Sequence, residues 1–447
     1  MDKSVIGNPA PRFLRQSRLP PGHFTLQCPS AVAENQPTSK NRMTSELLKF
    51  AARLREFVLS EGRVKRGPDS ELHSPNGGSC NSPLRDFNSL ALELFALQFK
   101  HNAAYRKISE SRGLMPNVVE HWTQIPAVPT AAFKELELTC LPPSERTAVF
   151  HSSGTTEQKP GWHYHSAESL AVYEASLWTW FERHVVPEFG IRNSEFGISI
   201  LAPLPVQALH SSLVHMFETV RQKIGGASVP ASQSEFLGRV ASDGSWTLNF
   251  DSVLAIFSPR PQVQEPRSQL LLGTAFSFVH LLDFLTEKNL HFDLPAGSRV
   301  METGGYKNRS RTMPKKELHA LISEHLGIPP ENIVCEYGMS ELSSQAYDNV
   351  TSGMWHVTGD LSASRHSSPV TRHFHFPPWA RAQIISPETG REVAEGEAGL
   401  IRVFDLANVF SVMAIQTEDL AIRRGDGFEL IGRAPFTEPR GCSLMSV

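Results

Sequence analysis

Between residues 196 and 338, short apolar runs that stop at glycine or proline take turns with longer segments of helical spacing. This alternation limits the fold more than any other feature of the chain. Residues 196–201 read as a buried strand closed by Pro203 and Pro205, and 211–224 as a helix closed by Gly225 and Gly226. Residues 253–257 and 269–272 read as strands, the second leading through Gly273 into a helix that runs to about 290. Residues 299–305 and 334–338 are strand-to-glycine steps. Between them, 314–326 is a helix with Pro314 in its first turn and Gly327 past its end. Strands alternating with helices predict an α/β fold around a mainly parallel sheet, with ligands near the carboxyl ends of its strands. From about residue 355, scattered glycines and alternating apolar positions predict a mostly β segment.

Upstream the pattern changes. Residues 1–44 carry six prolines and few aliphatic residues, and read as a disordered extension. Helical spacing over 45–59 and 87–108, around a Gly/Ser/Pro-rich mobile loop at 62–83, predicts a helical N-terminal region spanning 45–145. The formal net charge of −3 supplies no basic field for nucleic acid. No apolar run is long enough to cross a bilayer, and the first 45 residues lack the apolar core of a secretory signal. Five cysteines without a C-x-x-C pair argue against a disulfide framework and against a thiolate zinc site, leaving the cytoplasm as the expected compartment.

Several stretches could carry chemistry. In 150–161, Ser152, Ser153, Gly154, Thr155 and Thr156 precede Lys159, with apolar residues before and a helical pattern from about Ser166. Glycine permits close backbone approach, while hydroxyls, exposed N–H groups and a lysine suit phosphate oxygens; the Walker A pattern is absent. Gly304 and Gly305 after a strand give a flat edge for a ring, and Lys307 is a nearby cation. Tyr337, Gly338, Ser340 and Glu341 combine a stacking ring, close approach, a hydroxyl donor and one carboxylate, which is enough for magnesium that also binds phosphate. Asp419 in Thr417-Glu418-Asp419 could accept from a ribose diol, and Arg433 closes a Gly-Arg pair. Taken alone, each stretch is also compatible with an ordinary turn or cap. Of the histidines beside the first loop, His163 is the preferred candidate for touching phosphate or a carboxylate, although a hydrogen-bonded structural role is the commoner one for such a histidine. The spacing of His356, His366, His373 and His375 fits no helical zinc pair.

In this order the words S-S-G-T-T, G-G, Y-G-M-S-E, T-E-D and G-R resemble the adenylate-forming superfamily. The runs Gly304-Gly305-Tyr306-Lys307, 336–345, Asp405-Leu406-Ala407-Asn408, Thr417-Glu418-Asp419-Leu420 and Arg440-Gly441-Cys442-Ser443-Leu444 narrow this. The chain resembles the acyl-protein synthetases, the fatty-acid-activating component of bacterial bioluminescence systems, from about Phe87 to the end. The resemblance implies a large adenylation domain of layered sheets and helices over 146–435, and a tail at 436–447. It implies that Ser152, Ser153, Gly154, Thr155, Thr156 and Lys159 embrace the phosphates of ATP, that Gly304 and Gly305 line the adenine and acyl carbonyl, and that Tyr337 stacks on adenine beside Gly338. It further implies Ser340 at the α-phosphate, Glu341 on Mg2+, and Asp419 on the ribose with Arg433 close by. Glu157 and Glu418 stand where the commoner patterns have glycine.

Only 447 − 433 = 14 residues follow Arg433, so the small mobile domain and catalytic lysine of broader relatives are expected to be absent. In acyl-protein synthetases the cysteine of R-G-C-S-L takes the acyl group, and Cys442 matches it. Arg440 would favour its thiolate, and the nine residues from Arg433 could extend roughly 30 Å at about 3.3 Å each. The implied reaction is activation of a carboxylic acid, long-chain fatty by resemblance, as acyl-AMP, then transfer to Cys442 and on to an acyl reductase or other acceptor protein. Two alternatives stay open: transfer to coenzyme A or a carrier protein, and an inactive nucleotide-binding subunit. The acyl pocket is expected around 204–217 and 273–281.

Overall fold

In the computed structural model the described residues are 45–63, 86–152, 159–186, 197–225, 234–242, 244–258, 267–304, 313–350 and 372–434. All lie in the larger of the two units into which the chain divides, Arg42–Val447. A 12-stranded mixed sheet organises them. Ser234–Phe236, Gly197–Leu201, Gln269–Thr274, Arg299–Thr303 and Ile333–Tyr337 lie side by side and parallel. Ala346–Val350, Arg372–His375, Gly427–Arg433, Ala414–Arg424, Ala398–Asp405 and Ala380–Ile385 continue it antiparallel, and Val128–Pro129 joins alongside Ala414–Arg424.

The parallel strands 197–201, 269–274, 299–303 and 333–337 are buried at nearly every position because helices cover both faces. Leu271 and Val300 point into one core, with Phe278, Leu282 and Ile322 from helices Ala275–Glu287 and Lys315–Leu326. Their neighbours Leu270, Leu272 and Met301 point the other way, into the core shared with Leu54, Leu177 and Phe217. Those come from helices Ser45–Arg63, Ala167–His184 and Ser212–Gly225. Alternation of Cβ directions along a strand requires this split.

Three expectations need correcting. Residues 253–257 are not a strand but lie in the helix Phe250–Phe257, whose first turn is capped by the Asn249 side chain accepting from Ser252 N–H at 3.3 Å. Val253 and Phe257, four apart, are its buried face. A run of five apolar residues has no period of its own, so only the cap could have decided. The segment 87–108 is two helices, Phe87–His101 and Ala103–Ser111. Asn102 ends the first by donating its N–H to Gln98 O at 2.8 Å, and starts the second by accepting from Tyr105 N–H at 3.0 Å. Before the helix Ala167–His184, which starts where expected after Ser166, the structure has a strand that was not anticipated, Trp162–His165, paired antiparallel with Ala148–His151. The helix at 315–326 does end at Gly327, in the left-handed region at φ 64°.

Candidate active site

The ends of the two central parallel strands form the floor of the candidate site. Thr303 pairs with Glu336, which sets Gly304, at φ 74°, beside Tyr337. Four strand steps separate Ile333–Tyr337 from Ala414–Arg424 in the sheet order. In a flat sheet that is about 19 Å. The Tyr337 hydroxyl nevertheless donates to Asp419 Oδ2 at 2.9 Å, so the antiparallel half must curl over the ends of the parallel half. Phe374, Phe376 and Phe428 fill the inside of the curl against the Tyr337 ring, at centroid distances of 6.1, 6.2 and 5.4 Å.

The strand pair Ala148–His151 and Trp162–His165 meets the same place from the other side. His163 Nδ1–H donates to the Ser340 carbonyl at 2.7 Å, and Ser340 Oγ–H donates to Glu341 Oε2 at 3.0 Å. Burial holds the His163 imidazole below its ordinary pKa, so it stands neutral with its proton on Nδ1. Beside this pair, Ser152 N–H donates to Gly161 O at 3.0 Å, and Gly161 N–H to Ser152 Oγ at 2.8 Å. A Cβ on Gly161 would lie 2.7 Å from Ser152 Oγ. Lys159 Nζ lies 5.1 Å from the Trp162 ring centre. Thus His163, Gly304, Tyr337, Gly338, Ser340, Glu341 and Asp419 are brought together by direct bonds, strand pairing or chain adjacency, and Ser152 adjoins the strand pair that carries His163. Arg433, opposite Asp419 in the ladder, forms an ion pair with Glu418, the residue that departs from T-G-D. Ser153, Gly154, Thr155, Thr156, Gly305, Lys307 and Cys442 lie outside the described residues.

Beneath the floor is a charged layer that the sequence reading had not singled out. Lys315 Nζ reaches Asp348 Oδ2 at 2.6 Å, and Asp348 Oδ1 accepts the Cys335 N–H at 2.5 Å. His319 Nε2 contacts Glu302 Oε1 at 3.2 Å. These pairs brace both strand ends from the side of helix Lys315–Leu326. Their partners are 13 to 33 positions apart, which no local pattern reveals. The two described cysteines are poor nucleophiles: burial pushes Cys140 up to about 12 and Cys335 well above the ordinary thiol value.

Glu336 is fully buried, and desolvation raises its carboxyl from 4.5 to about 7, against the opposing hydrogen bond from Thr303 Oγ1. Below pH 4.5 it is protonated folded and unfolded alike. Between pH 4.5 and 7 the folded state holds a proton that the unfolded state has lost, so stability falls as pH rises. At about 1.4 kcal/mol per pH unit, the window is worth up to about 3 kcal/mol. Urea unfolding should therefore show Glu336→Gln gaining on the parent by up to that amount between pH 4.5 and 8. A pH-independent difference would refute this.

A narrow crevice opens on the same carboxyl edge, lined by Leu201, Trp246, Leu248, Phe276, Ser277 and His280. It includes one of the two segments expected to hold an acyl chain, 273–281. In the other, 204–217, Leu204, Val206 and Leu209 are exposed.

Residues 240–446 match the family described as acyl-protein synthetase, LuxE. The long-chain-fatty-acid–luciferin-component ligase of Vibrio harveyi is 21% identical over 359 residues, spanning 78% of this chain and 84% of that one. The ligase of the same name from Aliivibrio fischeri is 24% identical over 186 residues, 39% of this chain and 44% of that one. Among solved structures, 2-hydroxyisobutyryl-CoA ligase in its postadenylation and thioesterification states gives TM-scores of 0.51 and 0.53. The identities are 13% and 14%, with 81% of this chain and 73% of those covered, a likeness of fold. The mixed α/β fold is like that of this ligase, and over residues 240–446 the chain is similar to the LuxE acyl-protein synthetases, in agreement with the resemblance read from the sequence.

Proposed function

We propose that the chain activates a long-chain fatty acid with ATP and passes the acyl group to its own Cys442. The observation that carries this is the hydrogen bond from Tyr337 to Asp419. It sets an aromatic ring and an acceptor carboxylate at one point, beside the Gly304 edge and the Ser340–Glu341 turn, which suits the adenine, ribose and α-phosphate of one nucleotide. A carboxylate oxygen of the acid attacks the α-phosphorus, and pyrophosphate leaves. Ser152, Ser153, Gly154, Thr155, Thr156 and Lys159 hold the phosphates, with Lys307 as a further cation. The gain comes from fixed donors aimed at developing charge. The acyl site is proposed around 204–217 and 273–281.

Magnesium fits the donor set. Among the described residues no three ligand side chains gather into a self-standing metal site, and Glu341 is a single buried carboxylate at the turn. One carboxylate plus phosphate oxygens is coordination that Mg2+ favours, and the bound ion would neutralise phosphate charge.

In the second step the Cys442 thiolate attacks the acyl carbonyl carbon and AMP leaves, giving a thioester that an acyl reductase or another acceptor protein consumes. Cys335, which is buried, and Cys140, which is partly exposed, are both held protonated and are unsuited to that role. The core at 146–435 would perform the first step and the tail at 436–447 the second. No helix among the described residues is long and apolar enough to cross a membrane. The proposed setting is the cytoplasm.

Pyrophosphate exchange across a panel of acids tests the first step, and intact mass after ATP and acid tests the second. Cys442→Ser should retain exchange within about twofold while losing the stable acyl adduct. Full acylation of that variant, or a product that forms only with coenzyme A, would remove Cys442 from the mechanism.

A further inference from the structure

The turn from Gly338 to Gln345 is a puzzle of satisfaction. Ser340, Glu341, Ser343, Ser344 and Gln345 are all buried, with exposures of 7, 2, 2, 0 and 5%, yet the turn lies between strands. A buried polar loop keeps one geometry only if its groups find partners elsewhere. Those partners come from the segment that follows strand Ala398–Asp405. Asp405 Oδ2 accepts from Ser343 N–H at 2.8 Å, and Oδ1 accepts from Ser344 Oγ–H at 2.7 Å and from Ala407 N–H at 3.0 Å. Asn408 Nδ2 donates to Glu341 O at 2.9 Å and to Val412 O at 3.1 Å, while its Oδ1 accepts from Ser343 Oγ–H at 2.6 Å. The clamp is itself anchored. Gln98, wholly buried in helix Phe87–His101, donates to Asn408 O at 2.7 Å and accepts from Met413 N–H at 3.1 Å.

We infer that Asp405 and Asn408 are positioning residues: they fix the Glu341–Ser344 turn, and through it the Glu341 carboxylate. The catalytic half of this rests on the proposed adenylation; the structural half does not. The turn atoms bonded to Asp405 and Asn408 each face a partner of opposite kind, so an isosteric change that reverses one polarity should loosen the turn without opening a cavity. Asn408→Asp does this, setting a carboxylate oxygen against the carbonyls of Glu341 and Val412.

The test compares the full chain with Asn408→Asp, Asp405→Asn, the milder Ser343→Ala, and Ile322→Val in the core on the opposite face of the sheet. Hydrogen exchange followed by mass spectrometry should show amides of 338–345 exchanging at least tenfold faster in Asn408→Asp and Asp405→Asn, and about threefold faster in Ser343→Ala. Ile322→Val should leave that segment at the parent rate. In pyrophosphate exchange, kcat should fall about 10- to 100-fold in the first two variants with KM for the acid within twofold. Should they fail to fold, Ser343→Ala decides. Parent-like exchange at 338–345, or an acceleration spread evenly over the whole core, overturns the clamp. A loosened turn with unchanged kcat overturns its catalytic consequence alone. If the parent itself supports no pyrophosphate exchange with any acid, the adenylation reading fails, while the hydrogen-exchange result still decides the clamp.

Discussion

Glu341→Gln is expected to lower the pyrophosphate-exchange kcat about 100-fold or more, while the folded state survives. Gln keeps an amide oxygen to accept the Ser340 hydroxyl, now 3.0 Å from Glu341 Oε2. It also keeps the backbone carbonyl that Asn408 holds. What disappears is the negative charge, and with it the protein's only proposed ligand to magnesium. A carboxamide is a weak substitute because Mg2+ sheds water reluctantly and favours anionic oxygen. Removing one fixed electrostatic partner from a reacting centre typically costs about 10²–10³ in kcat. The assay is exchange at saturating ATP and acid over a range of magnesium concentrations, with thermal unfolding as the check on folding. Partial recovery at high magnesium would support the assignment. A loss below about tenfold, or one that magnesium leaves untouched while the melting temperature drops, would show Glu341 to be a buried structural acid.

Much of this site could be read from the chain, and the reason lies in how its parts are carried. Tyr337 ends one strand, Gly338, Ser340 and Glu341 come just after it, and Gly304 comes just after the adjacent one. Backbone geometry gathers such words once the parallel pairing is guessed. Asp419 was legible as a carboxylate in a short motif, but it lies in the middle of strand Ala414–Arg424, and its nearness to Tyr337 depends on the curl of the sheet, which local pattern does not encode. Gln98 lies more than 300 positions from its partners Asn408 and Met413, and nothing in a helix of ordinary spacing marks it out. His163 is a case where the structure favours the structural alternative that the sequence left open. Its candidacy rested on closeness to the phosphate stretch, whereas its proton is spent on the Ser340 carbonyl, joining its strand to the turn. Phe250–Phe257 was misread because apolar content without a period leaves helix and strand equivalent, and burial on one face selects the helix.

Asp419→Ala should raise KM for ATP about 10- to 100-fold and leave KM for the acid nearly unchanged, with a second, separable cost to stability. An ionised carboxylate offers four lone-pair positions, and Tyr337 uses one. A ribose diol needs two more, so ring and sugar can share the same acceptor. Truncation removes the sugar's partner and leaves the phenol of a largely buried tyrosine without this bond, a loss of about 1–3 kcal/mol. Tyr337→Phe separates the two effects. It keeps the ring among Phe374, Phe376 and Phe428 and frees Asp419 Oδ2, so it should alter KM for ATP by less than about threefold. If Tyr337→Phe weakens ATP as strongly as Asp419→Ala, the hydroxyl itself holds the carboxylate in place and the pair acts as one unit. If neither changes KM for ATP, the nucleotide binds elsewhere, and the curl that unites these strands serves only to close the sheet.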